Sequence, residues 1–263
     1  MDIKISIITI NYNNKDGLIK TIDSVITQSF KTFEWIVIDG GSTDGSKELI
    51  ESYQNYMNYW VSEPDNGIYH AMNKGIDKAK GEYLLFLNSG DCLYDVDVLE
   101  KSAPYLTNSD IYAGIELRGE NVHNINISNQ ATNQQIINCF TRSFVPHQSS
   151  FIKKELFKRF GMYSECTSMC SDNLFFFKTL ILNNATLEKL PHFISRYDAN
   201  GMSSLHGEEY SIEFDKELNK HPRIIYLLDF HSKNFEIIEA LRRNKFLFFI
   251  FRVINYLTRK LKL

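Results

Sequence analysis

Residues 35–45 read Trp35-Ile36-Val37-Ile38-Asp39-Gly40-Gly41-Ser42-Thr43-Asp44-Gly45, an apolar run that stops abruptly in small, polar and acidic residues. The run Phe33 to Ile38 has the β-rich character of a strand inside a parallel sheet, and Asp39-Gly40-Gly41 closes it with turn residues. Helical spacing follows over Thr43 to Tyr53. The same alternation holds on both sides of this segment. Upstream, Lys4 to Asn11 carries Ile5, Ile7, Ile8 and Ile10 as a buried strand. From Lys15 onward Leu18, Ile19, Ile22, Val25 and Ile26 then have the spacing of a helix. Downstream, Tyr59 to Val61 predicts a short strand, Ile68 to Lys80 a helix, and Glu82 to Leu87 a strand ending in Asn88-Ser89-Gly90-Asp91. Strand, helix, strand, helix implies parallel βαβ units. In open sheets of this kind a ligand lies outside the carboxyl ends of the strands. That rule singles out Thr9 to Asn13, Asp39 to Asp44 and Asn88 to Asp91. Each is ordinary turn and cap chemistry on its own, but together they converge on one crevice.

Beyond Asp91 the pattern loosens. Tyr94 to Tyr105 predicts a helix, Ile111 to Leu117 a strand, and the Asn- and Gln-rich Glu120 to Gln135 a loop. Phe144-Val145-Pro146-His147-Gln148-Ser149-Ser150-Phe151 is strand-like, Lys153 to Phe160 is a helix stopped by Gly161, and Asp172 to Leu182 is helical with Asp172 in its first turn.

Composition bounds the function classes. Of 263 residues, 43% are hydrophobic and 23% charged, with only 13 Gly and 5 Pro, which excludes collagen-like and disordered chains. The net charge of −3 conceals a split. Arg242, Arg243, Lys245, Arg252, Arg259, Lys260 and Lys262 stand after Leu241 with no acid among them, so residues 1–241 carry −10. A body that acidic argues against a nucleic-acid-coating protein. Cys92, Cys139, Cys166 and Cys170 are too scattered for a disulfide framework, and Cys166 and Cys170 lack the second ligand pair of a zinc site. Met1 to Ile10 has neither the basic start nor the cleavage site of a signal peptide. Both features lead us to expect a reducing, cytoplasmic location.

Four ordered blocks carry a likeness to a known family. Ser6-Ile7-Ile8-Thr9-Ile10-Asn11-Tyr12-Asn13, the Trp35 to Gly45 segment, Asp65-Asn66-Gly67-Ile68-Tyr69 with Ala71, Asn73, Gly75, Ala79 and Gly81, and Leu85-Phe86-Leu87-Asn88-Ser89-Gly90-Asp91 together resemble a family 2 glycosyltransferase over residues 3 to about 200. The resemblance implies an α/β protein of the GT-A fold, a Rossmann-like, mostly parallel central sheet flanked by helices, with a C-terminal helical extension. It implies a domain over 1–205, split into a nucleotide-sugar half (1–91) and an acceptor half (92–205), then a helical region over 206–263.

The family's chemistry implies roles for individual residues. Asp39 would accept the N3–H of uracil in a UDP-sugar. Thr9, Asn11 and Tyr12 would touch base and ribose, and Lys74, Asn88 and Ser89 would lie on the donor side. The metal motif departs from its usual form. Asn88 and Gly90 stand where most relatives have carboxylates, which leaves Asp91 as the motif's anionic ligand for Mn²⁺ or Mg²⁺. In the acceptor half the resemblance points to Asp172 as the base of an inverting displacement. His147 and Gln148 would line the acceptor or diphosphate site, and His206 would supply a late metal or phosphate contact. The implied activity is transfer to a glycan, with a polyprenyl diphosphate as its carrier, in cell-surface polysaccharide synthesis. Two rivals stand beside it. The missing carboxylates at 88 and 90 suit a catalytically silent nucleotide-sugar-binding module. A dinucleotide-dependent oxidoreductase is disfavoured because Asn11-Tyr12-Asn13-Asn14, not G-x-G-x-x-G, follows the first strand.

On a helical wheel, residues 245–263 place Phe246, Leu247, Ile250, Val253, Ile254, Leu257 and Leu261 on one face and Lys245, Arg252, Asn255, Arg259 and Lys262 opposite. The apolar run is too short and too charged to span a bilayer. It suits a helix lying on anionic lipid, placing the protein peripherally on the cytoplasmic face of the inner membrane, and equally a helix packed on the body or a homodimer interface.

Overall fold

Each side of the first strand meets a different apolar layer. In the computed structural model, which describes residues 3–132, 135–137, 145–166, 170–198, 212, 214–216 and 218–222, β1 (Ile5–Asn11) is buried along its whole length. Ile8 and Ile10 join one core cluster with Met72, Ile76 and Phe86, whereas Ile5 and Ile7 join another with Leu18, Ile22 and Trp35. That double burial is why the sequence shows a continuous apolar run in place of alternation. The chain divides into two units, Met1–Glu217 and Leu218–Leu263, and the first holds every element below. The expected boundary at 205/206, His206 and the tail 245–263 lie outside the described residues.

After β1 come α1 (Lys15–Ile26), β2 (Glu34–Asp39), α2 (Ser46–Tyr53), β3 (Tyr59–Ser62), α3 (Ile68–Lys78) and β4 (Tyr83–Phe86). Asn14 caps α1, its side chain accepting from Gly17 N at 3.1 Å. The second half adds β5 (Cys92–Leu93), α4 (Val98–Ser102), β6 (Ile111–Arg118), β7 (Asn121–His123), β8 (Ser150–Lys153), α5 (Lys154–Phe160), α6 (Ser171–Phe176) and β9 (Leu187–Tyr197). The sheet runs β3-β2-β1-β4-β8-β6-β9-β5, with β7 also on β6. β1 to β4 are mutually parallel, β8 is antiparallel to both its neighbours, and β9 is parallel to β6.

Three expectations change in the second half. The helix expected over Tyr94 to Tyr105 shortens to Val98–Ser102; at its start Tyr94 instead carries on the pairing of β5 with β9, its N donating to Ile194 O at 2.9 Å. Within Glu120 to Gln135, expected as loop, Asn121–His123 turns back on β6 as β7. The helix expected over Asp172 to Leu182 begins at Ser171 as α6 and continues as a π-helical stretch, Phe177–Leu182.

Register positions the site. Asn11 pairs with Asp39, Ile8 pairs with Phe86, and Ser89 N donates to Ile10 O at 3.0 Å, so the turns after β1, β2 and β4 open side by side. At the opposite end of the sheet Gly81 is wedged against β1. A methyl group there would stand 2.6 Å from Ser6 N and Ser6 Oγ. That contact involves backbone, which cannot swing aside. Gly81→Ala is therefore expected to cost about 1–3 kcal/mol, read as a lowered urea midpoint at unchanged slope. An unchanged midpoint would contradict the packing described.

Candidate active site

The first side chain in the crevice is Asp39, at the end of β2 and 0% exposed. Its Oδ1 accepts from Asn11 Nδ2 at 2.7 Å and Ser42 Oγ at 2.6 Å, and its Oδ2 from Ser42 N at 3.0 Å and Ser62 Oγ at 2.6 Å. Burial works to raise the carboxyl's pKa, but the donors from Ser42, Ser62 and Asn11 outweigh it and hold the group below its usual range. A carboxylate has about four lone-pair directions, and here four protein donors use them. Asp39 thus ties the ends of β1, β2 and β3 together, with no direction left for a base N–H.

Around it, Tyr12 is 66% exposed at the mouth of the crevice. Thr9 faces the core, its hydroxyl accepting from Trp35 Nε1 at 3.1 Å. Lys74 forms an ion pair at 2.7 Å with Glu63, the residue that follows β3 and whose N donates to Asp39 O.

The turn after β4 supplies oxygen donors. Asp91 is buried, and Asp198 N donates to its Oδ1 at 2.9 Å. Burial pushes its carboxyl up to about 7; that hydrogen bond and the charge of His147 lower it, while Glu116 and Asp198 raise it. Gly90 has φ +104°, a conformation side chains seldom adopt, and a methyl group there would fall 2.5 Å from Asp198 Oδ2. The absent side chain at 90 therefore leaves space that a carboxylate from the end of β9 fills. Asn88 Oδ1 is buried without a hydrogen-bond partner, and Ser89 O accepts from Asn14 Nδ2 at 3.0 Å. Among the described residues no three His, Cys, Asp or Glu side chains cluster as metal ligands. Two carboxylates and an orphaned amide oxygen nevertheless form an all-oxygen donor set, which fits a hard divalent cation completed by phosphate and water.

Asp172 is 7% exposed. Tyr69 OH donates to its Oδ1 and His147 Nδ1 lies against its Oδ2, each at 2.8 Å. Burial works to raise the carboxyl, but His147 and Tyr69 outweigh it and the pKa is lowered. For His147, burial works to lower the pKa, but Asp172, Asp91 and Glu116 raise it. Each group thus favours the charged form of the other, and His147 Nε2 is buried and unpartnered. Two side-chain donors leave Asp172 with acceptor capacity that Asp39 lacks. Gln148 is buried beside His147.

The structure brings Asn11, Asp39, Asn88, Ser89 and Asp91 to the strand ends and joins His147 to Asp172, while the Thr9 hydroxyl is engaged by Trp35 and Lys74 by Glu63. Sequence reading gave no role to Ser42, Ser62, Tyr69, Glu116 or Asp198. Glu116 is fully buried, with Oε1 unpartnered. The signal for Ser42 and Tyr69 was present, since both stand inside the quoted blocks; Asp198 had none, because β9 itself was not anticipated.

The family model described as Glycosyl transferase family 2 matches residues 6–172. An uncharacterised glycosyltransferase of Mycobacterium tuberculosis is 32% identical over 208 residues, covering 76% of this chain and 77% of that one. The putative teichuronic acid biosynthesis glycosyltransferase TuaG of Bacillus subtilis is 33% identical over 105 residues, 39% of this chain and 41% of its own. Among solved structures, S. aureus TarS 1-349 in complex with UDP-GlcNAc superposes with a TM-score of 0.63 at 22% identity, covering 74% of this chain and 58% of that one. The mannosyltransferase PcManGT from Pyrobaculum calidifontis, in complex with GDP-Man and Mn²⁺, gives 0.58 at 15% identity, covering 74% and 56%. At these identities the structural likeness concerns the fold, which is GT-A, as the resemblance implied.

Proposed function

This chain belongs to glycosyl transferase family 2, and from that premise we propose that it is a metal-assisted, inverting transferase that moves a sugar from a UDP-sugar to a hydroxyl of a glycan acceptor. The observation that carries the reading is Asp172, a buried carboxylate held ionised by Tyr69 and His147 with acceptor capacity to spare. In the proposed single displacement the acceptor hydroxyl gives its proton to Asp172 as its oxygen bonds to the anomeric carbon. The bond from that carbon to the diphosphate breaks on the opposite side, and the nucleoside diphosphate leaves with the bonding pair. His147, through the N–H of Nε2, donates to a diphosphate or acceptor oxygen, and Gln148 lines the same region. Asn11 and Tyr12 hold the ribose and base.

Asp91, Asp198 and the amide oxygen of Asn88 would hold Mn²⁺ or Mg²⁺. Bound there, the cation supplies positive charge to the departing diphosphate. The nucleotide-sugar and Mn²⁺ complexes of the two structural neighbours support a donor and a cation of these classes. The name of the Bacillus relative supports an acceptor in cell-surface polysaccharide synthesis, and a polyprenyl-diphosphate carrier would place the reaction at the cytoplasmic face of the inner membrane. Proton NMR of the transferred sugar tests the mechanism. An inverted anomeric centre is expected, and a retained one would refute the single displacement. Nucleotide-sugar binding without turnover of any donor would favour the silent module.

The tail has its own test. No helix among the described residues is long and apolar enough to cross a membrane, so membrane contact rests on the amphipathic pattern of residues 245–263. Deleting them should abolish co-sedimentation with anionic vesicles at low salt. Undiminished sedimentation would refute lipid attachment, and a change from dimer to monomer would assign the tail to a homodimer interface.

A further inference from the structure

The donor reading leaves the base without a recognising acceptor once Asp39 is committed to Asn11, Ser42 and Ser62. We infer that Asp65, between β3 and α3, is the carboxylate that takes the N–H of the donor's uracil, an inference that rests on the UDP-sugar reading above.

Two observations place it there. A methyl group on Gly40 would stand 2.6 Å from Asp65 Oδ2 and 3.1 Å from Tyr12 Cδ2, so carboxylate and ring both border the glycine at the end of β2. A side chain at residue 40 would displace one of them, and glycine leaves the space to both. Asp65 is also anchored for the task. Its Oδ1 accepts from Gly67 N at 2.9 Å, fixing the carboxylate plane, while among the described residues Oδ2 accepts no hydrogen bond. Within a few ångströms, then, stand a fixed free acceptor and an exposed aromatic face.

That combination fits a pyrimidine carrying an imide N–H. The ring stacks on Tyr12, a contact that is blind to base identity, and N3–H points at Oδ2, a contact that is not. Cytosine presents a lone pair at N3 and is repelled by the same oxygen. Base choice therefore lies with Asp65, and affinity is shared with Tyr12. Asp39 acts one step back, holding the strand ends on which Gly40 and Tyr12 ride.

Titration calorimetry of the full chain with UDP and with CDP, in the presence of Mn²⁺, tests the inference. Wild type should prefer UDP. Asp65→Asn keeps an oxygen for Gly67 N–H but turns a donor toward the base, so UDP affinity should fall at least about tenfold while CDP affinity, freed of the repulsion at N3, should rise. Tyr12→Ala should weaken both nucleotides alike. Circular dichroism of each variant confirms that the fold is kept. An Asp65→Asn variant that binds UDP as wild type does, or loses UDP and CDP in equal measure, overturns the assignment, as does a wild type that prefers CDP. Wild type that binds neither nucleotide fails earlier and differently, removing the donor reading and this inference with it.

Discussion

Asp172→Asn should abolish transfer almost completely, lowering kcat by about 10²–10⁴-fold while leaving UDP affinity nearly unchanged. The substitution keeps the shape and the hydrogen bond from Tyr69 but removes the charge and basicity that the acceptor proton requires. Initial rates with the native donor, beside UDP titration, separate the two effects, and near-normal turnover would remove Asp172 as the base. Tyr69→Phe refines the same test. Removing one donor to the carboxylate lets its pKa rise, so the acidic limb of the kcat profile moves to higher pH; a merely structural defect would lower the profile without moving it. The sign for stability follows from both partners. Asp172 has a depressed pKa, and its contribution is lost as pH falls through that value. His147 has a raised pKa, and its contribution is lost as pH rises through it. The ion pair therefore stabilises the fold most between the usual Asp value of 3.8 and the usual His value of 6.5.

The second large effect is at Asp91. Asp91→Asn should abolish Mn²⁺ binding measured by calorimetry and lower turnover by about 10²–10³-fold. Because burial holds this carboxyl up to about 7, a cation must displace its proton, and wild-type Mn²⁺ affinity should climb as pH rises toward that value and level off above it. Without metal the sign reverses. A carboxyl whose folded pKa is raised costs stability as pH climbs from 3.8 through about 7, so at pH 8 the metal-free Asp91→Asn variant should melt higher than metal-free wild type. Mn²⁺ affinity that survives the substitution, or a flat pH dependence, would contradict this account of the turn.

The donor half was legible because its signals are local. The isoleucines of β1, the spacing of Leu18, Ile22 and Val25, and the acid–glycine turns after β2 and β4 each lie within a dozen residues, and the sheet they imply needs only short right-handed crossovers. The second half depends on pairings distant in sequence. β9 carries Glu188, Lys189, Pro191 and Arg196 within its length, which erases strand periodicity. It is a strand because it lies against β6 and absorbs Pro191 where the register shifts opposite Gly114. Asp198 at its end was hidden for the same reason. Residue type also did not reveal the partners of Asp39, because Asn11 and Ser62 reach its carboxylate only through the register of β1 and β3 with β2. At Asp172 the residue was identifiable from its block, whereas its clamp was not, since Tyr69 stands 103 positions away.

The site as proposed holds a nucleotide over the ends of β1 and β2 and a cation at the turn after β4. A crystal structure of the full chain with UDP and Mn²⁺ tests it most directly. We expect the uracil against Tyr12 and Gly40, Mn²⁺ on Asp91 and Asp198, and Asp172 with an open lone pair on the acceptor side. UDP bound elsewhere on the chain, or Mn²⁺ bound away from Asp91, would contradict it.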